Sequence, residues 1–177
     1  MPALTKNFLD QLQENPYEYK CFIETGTHIA ETILAMEPHF DELYTIELAE
    51  FFYQISKRQY QGNKIQFILG DSAKELKSLL PQINQPTIFF LDGHFSGDIR
   101  GKGEKDCPLL EELEQINTHF QHKAIIIIDD ARIFGKTQDG SLDLDWSQIN
   151  EQSLLDKINS RLTKHYYLDS SHAPNDR

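Results

Sequence analysis

Five apolar stretches in this chain each end in an acid. They are Phe22-Ile23-Glu24, Thr45-Ile46-Glu47, Leu69-Gly70-Asp71, Phe90-Leu91-Asp92-Gly93-His94 and Ile128-Asp129-Asp130. One acid in a turn says little, because turns favour Asp, Gly and Ser. Five in succession describe an edge lined with carboxylates. Such groups can accept hydrogen bonds from ligand hydroxyl and amino groups, carry protons, or hold a hard cation. The first run continues into Thr25-Gly26-Thr27, and Gly26 lets the backbone turn tightly where a Cβ would intrude on a ligand. Asp92, Asp129 and Asp130 are candidate metal ligands, a set of hard oxygens suited to Mg²⁺, Mn²⁺ or Ca²⁺. His94, two residues past Asp92, is the candidate base.

The elements that must position these residues follow from apolar periodicity. A helix is predicted over 3–14, from Leu4, Phe8, Leu9 and Leu12. Strands are predicted over 19–24, 42–47, 64–69, 87–91, 123–128 and 165–168. Helices are predicted over 29–36, 49–60, 72–80, 106–120 and 146–162. Ser72 with Glu75 three residues on reads as a capping box, and Asp106 as a helix cap. This alternation predicts an α/β fold: a doubly wound, mostly parallel sheet with helices on both faces, in one domain over 1–177 with its core at 19–170. Such sheets bind ligands at the carboxyl ends of their strands, which is where the five acids fall. The glycine-bearing loop 95–105, with Arg100, Lys102 and Lys105, is a candidate lid.

Composition narrows the partners. Seventeen Lys and Arg stand against 28 Asp and Glu, a net charge of −11 in 177 residues. That surface repels phosphate backbones and anionic lipid, so neither nucleic acid nor membrane is an expected partner. Cys21 and Cys107 make no disulfide framework or zinc set, and no signal-peptide core is visible, so a cytoplasmic location is expected.

The run Phe22-Ile23-Glu24-Thr25-Gly26-Thr27-His28-Ile29-Ala30-Glu31-Thr32 resembles the first motif of class I S-adenosylmethionine-dependent methyltransferases. It is most similar to the branch in which that motif reads E-T-G-T-x-x-G-x-T. Residues 44–47, 70–72, 91–94 and 128–132 fall at the later motifs in order, and the likeness covers about residues 20–170. The resemblance implies a Rossmann-like fold, S-adenosylmethionine as cofactor and a small-molecule acceptor methylated at oxygen. It implies that Glu24, Thr25, Gly26, Thr27, Glu47, Asp71, Ser72 and Asp92 bind the cofactor. Glu24 would take its cationic amino group, Glu47 the ribose hydroxyls and Asp71 the adenine amino group. Asp92 and His94 would be catalytic, and Asp92, Asp129 and Asp130 would hold a divalent ion, as acids at these strand ends do in some related O-methyltransferases.

The chain departs from the pattern at Ala30, where the family has its second glycine, and no seventh strand is predicted after Leu168. One alternative is a non-catalytic nucleotide- or cofactor-binding domain of the same fold, which Ala30 favours. A lesser one is an NAD-dependent oxidoreductase, although the full G-x-G-x-x-G pattern is missing. A homodimer is compatible with either.

Overall fold

The computed structural model describes residues 4–94, 105–140, 142–170 and 173–177. Five parallel strands form the central sheet: β1 (Cys21–Thr25), β2 (Glu42–Glu47), β3 (Ile65–Leu69), β4 (Thr87–Leu91) and β5 (Ala124–Ile128). Their order is β3-β2-β1-β4-β5, so β1 pairs with both β2 and β4 and the winding reverses beside it. The register sets Thr25 against Ile46 on one side and Leu91 on the other, which brings the acids that follow to one edge. β1 and β4 are buried along their whole length, as strands covered on both faces must be.

One face packs α1 (Lys6–Leu9) and α2 (Glu31–Met36) over Phe22, Leu43, Ile88 and Phe90. α3 (Glu50–Gln59) lies against β2 and β3. The other face packs α4 (Ser72–Leu79), α5 (Leu109–His119) and α6 (Glu151–Ile158) over Ile23, Ile46, Phe89 and Leu91. The core is therefore two layers, one on each side of a single sheet. Each fully buried Ile, Leu or Phe contributes about 1.5–3 kcal/mol. The hairpin of β6 (Gln138–Asp139) and β7 (Leu142–Asp143) interrupts the path from β5 to α6.

Several expected boundaries shift. The first helix shrinks to Lys6–Leu9, and the last to Glu151–Ile158 with Asn150 and Ser153 forming a capping box. Trp146, expected to open that helix, lies upstream of it in the core. α5 starts at Leu109, and the Asp106 carboxylate instead accepts from the Asp145 backbone N–H at 2.9 Å. The cap of α4 is Asp71, whose Oδ1 accepts from Lys74 N–H at 3.2 Å, rather than Ser72. Residues 165–168 form no strand. They flank a mainly apolar groove of about 450 Å³ along the outer edge of β5. The candidate lid lies, apart from Lys105, outside the described residues. Among the described residues no helix is long and apolar enough to cross a membrane.

Candidate functional site

The turn after β1 fits one residue type. Gly26 has φ +83°, and a Cβ there would lie 2.3 Å from the Asp92 carbonyl oxygen. Chain 25–27 and chain 92–93 therefore approach as closely as backbone can, at the point where the sheet order reverses. His28 (φ 48°) and Ala30 (φ 66°) also take left-handed backbone. The conformation that a glycine would adopt at position 30 is thus present with Ala30 in its place, buried completely. An L-residue held there costs roughly 1–2 kcal/mol.

Glu47 holds this turn. Its Oε2 accepts from His28 N–H and its Oε1 from Ala49 N–H, both at 2.8 Å. Leu48 N–H also acts on the carboxylate, whose roughly four acceptor sites leave one open. Burial raises the Glu47 carboxyl above its ordinary range, and the backbone N–H groups work against that rise. Glu24 is buried next to it and accepts from Thr45 Oγ1 at 2.6 Å, while Thr45 Oγ1 meets Thr27 Oγ1 at 2.5 Å. Burial pushes the Glu24 carboxyl up to about 8; the Thr45 bond opposes the shift and the Glu47 charge adds to it. Thr25, Thr27 and Ser72 are buried at the same edge.

The second half of the site hangs on His94. Its ring is buried, with the side chain only 6% exposed. Nε2 lies 2.9 Å from Asp130 Oδ2, and Nδ1 lies 3.5 Å from Asp92 Oδ1. The ring stands edge-on to Trp146 with centroids 5.0 Å apart. Burial lowers the imidazole pKa, against the pull of Asp92 and Asp129, which favours the neutral ring. Burial pushes Asp92 up to about 8, with His94 opposing and Asp129 and Glu24 adding.

Asp129 and Asp130 already have cations. Arg177 donates from Nε to Asp129 Oδ1 at 2.7 Å and from its terminal nitrogen to Oδ2 at 3.1 Å. This pair is almost fully buried, with Arg177 lying over the rings of Phe8 and Phe90. Arg132 pairs with Asp130 and lies 3.3 Å from buried Asp176. The expected metal trio is therefore divided: Asp92, His94 and Asp130 offer atoms within 4.8 Å of one another, and Asp129, Asp130 and Asp176 form a second group. The positive charge that a divalent ion would bring to Asp129 and Asp130 is present as two guanidinium groups. Arg177 and Arg132 thus neutralise two of the three carboxylates expected to hold a divalent ion.

Glu112 escapes the sequence reading. It sits in the first turn of α5, completely enclosed, and burial pushes its carboxyl up to about 7 against the pull of the Ser72 and Thr25 hydroxyls. The signal was available: Glu112 lies on the stripe formed by Leu109, Leu113 and Ile116, where an apolar residue belongs.

Compared with solved structures, the chain has the Rossmann-like fold seen in S-adenosylmethionine-dependent methyltransferases. A Staphylococcus aureus protein assigned as a caffeoyl-CoA O-methyltransferase superposes with TM-score 0.55 at 16% identity, over 92% of this chain and 76% of that one. A SAM-dependent methyltransferase from Leishmania major gives 0.54 at 10% identity, over 87% and 59%. Spermidine synthase from Thermotoga maritima gives 0.52 at 8% identity, over 81% and 45%. The chain thus spans about half the length of the last two. No protein-family model matches the sequence, and neither does any curated protein.

Proposed function

We propose that this chain is an S-adenosylmethionine-dependent methyltransferase that acts on a small molecule at oxygen, as a single domain. The observation that carries the reading is the tight left-handed turn at Gly26, at the carboxyl edge of the sheet where the strand order reverses, flanked by the buried acids Glu24 and Glu47. S-adenosylmethionine bound there would supply an electrophilic methyl group on a sulfonium sulfur. Glu47 keeps an acceptor site for a ribose hydroxyl while it holds the turn. Glu24 offers a carboxylate to a cationic amino group, which would favour its ionised form. Thr25, Thr27 and Asp92 line the same turn, and Asp71 and Ser72, at the start of α4, are the candidates for the adenine end.

Methyl transfer to a hydroxyl needs a destination for its proton. Asp92 and His94 are assigned that role: Asp92 has a free Oδ1, and His94 joins it to Asp130. The neutral imidazole can accept on one nitrogen while donating from the other. The net charge of −11 supports a small-molecule acceptor over nucleic acid or a membrane surface, and a cytoplasmic enzyme is the matching location. A homodimer stays part of the proposal.

The test is calorimetry with S-adenosylhomocysteine, followed by turnover on a library of hydroxyl compounds. Saturable binding with methyl transfer supports the reading. Binding without turnover on any compound supports the non-catalytic alternative, and absence of binding removes the cofactor.

A further inference from the structure

Among the described residues, five buried side-chain polar atoms have no partner in full hydrogen-bond geometry: Thr25 Oγ1, Asp92 Oδ1, Glu111 Oε2, Glu112 Oε1 and Trp146 Nε1, although the Thr25 hydroxyl is near enough to Glu112 to favour its charged form. Buried polar groups are almost always paired, so each orphan calls for an explanation. Four of these five belong to residues that surround one turn, Gly93-His94. A Cβ on Gly93 would lie 3.1 Å from both Glu112 Oε1 and Thr25 Oγ1. Asp92 Oδ1 is 3.5 Å from the His94 ring, and Trp146 packs on that ring's edge. The fifth, Glu111, lies on a different face, where it pairs with Lys105.

Three of the four can accept a hydrogen bond, whereas the Trp146 indole N–H can only donate one. Two are carboxylate oxygens, one is a hydroxyl, and one is an indole N–H. Among the described residues, Arg132 and Arg177 are engaged by Asp130, Asp176 and Asp129. A group that completes this cluster must donate several hydrogen bonds to carboxylates and can carry positive charge. A primary ammonium, with three donors and no acceptor, matches; a carboxylate or phosphate would add repulsion, and a hydroxyl has one donor only. Gly93 contributes by having no side chain between Glu112 and Thr25.

We propose that Thr25, Asp92 and Glu112, beside the Trp146 ring, form a subsite for the ammonium group of an amine-bearing acceptor, an amino alcohol if methylation is at oxygen. The assignment of that group to the acceptor rests on the function proposed above; the amine site itself does not.

Trp146 is the only tryptophan in the chain, so its indole N–H gives a single resonance in a ¹⁵N-labelled sample and reports on this cluster alone. Titrating with butylamine, butanol and butyrate, with and without saturating S-adenosylhomocysteine, separates the possibilities. Butylamine is expected to move the indole signal saturably at millimolar concentration, in both conditions, while butanol and butyrate leave it in place. Glu112→Gln or Asp92→Asn is expected to weaken the amine about tenfold or more, the loss of one charge-assisted hydrogen bond. The wild-type comparison of the three probes stands even if neither variant folds. No shift with butylamine, or an equal shift with butanol, overturns the proposal. A shift with Mg²⁺ but not with butylamine also overturns it, in favour of a metal. Complete loss of the amine response under S-adenosylhomocysteine overturns the acceptor assignment and gives the site to the cofactor's own amino group. Failure of S-adenosylhomocysteine to bind, with the amine response intact, sinks the cofactor reading and supports the amine site.

Discussion

Glu47→Gln separates holding the turn from binding the cofactor. The carboxylate accepts two backbone N–H groups at 2.8 Å, from His28 and Ala49. Glutamine has the same shape but only one acceptor oxygen, so its NH₂ must face one of those donors. The loss is one charge-assisted bond to a carboxylate only 5% exposed, with the N–H of half-buried His28 or Ala49 left facing an amide NH₂. Together these are worth about 2–4 kcal/mol. The strain at His28 and Ala30, both left-handed, is restrained by the same bonds, so the turn should loosen as they weaken. Urea denaturation should show stability lowered by about 2–4 kcal/mol, and calorimetry should show S-adenosylhomocysteine affinity lowered at least about tenfold. Wild-type stability in the variant would refute the hydrogen-bond reasoning. Lowered stability with unchanged affinity would leave Glu47 as a brace for the turn and put the ribose elsewhere.

Gly26→Ala should destabilise by about 2–5 kcal/mol, from left-handed strain plus overpacking against the Asp92 carbonyl, as read by urea denaturation. Ala30→Gly should change stability by less than about 1 kcal/mol, because relief of strain at φ 66° is offset by a lost buried methyl group and a more flexible unfolded chain; a large change by denaturation would contradict this. Arg177→Ala should cost about 3–5 kcal/mol in the same assay, since it leaves Asp129 buried without a cation. Stability should fall as pH rises. Glu112 is raised to about 7, and Glu24 and Asp92 to about 8, so the folded state holds protons that the unfolded chain, with values of 4.5 and 3.8, has released. The stabilisation is complete below those unfolded values and lost as pH climbs through 7 and 8. Denaturation midpoints across that range, flattened in Glu112→Gln, provide the check. Millimolar Mg²⁺, Mn²⁺ or Ca²⁺ should leave the melting temperature unchanged, and a rise would show that Arg132 and Arg177 do not exclude a cation.

The local period of the chain determined the sheet and its acidic edge. Strands such as 42–47 and 87–91 have runs of apolar residues between turn signals, and parallel strands all point the same way, so Glu24, Glu47, Asp71, Asp92, Asp129 and Asp130 had to reach one edge. Glu112 was legible too, as an acid in an apolar stripe. What occupies each acid was not legible, because that depends on residues far apart in the chain. Arg177 neutralises Asp129 across 48 positions, and Trp146, which periodicity puts at a helix start, packs instead against His94. Residues 165–168 have strand-like composition but run beside β5 without pairing to it. Apolar spacing reports only which face of an element turns inward. Whether a buried carboxylate meets an arginine, an imidazole or nothing is decided by how those faces pack, and that decides whether it is neutralised, protonated or left for a ligand.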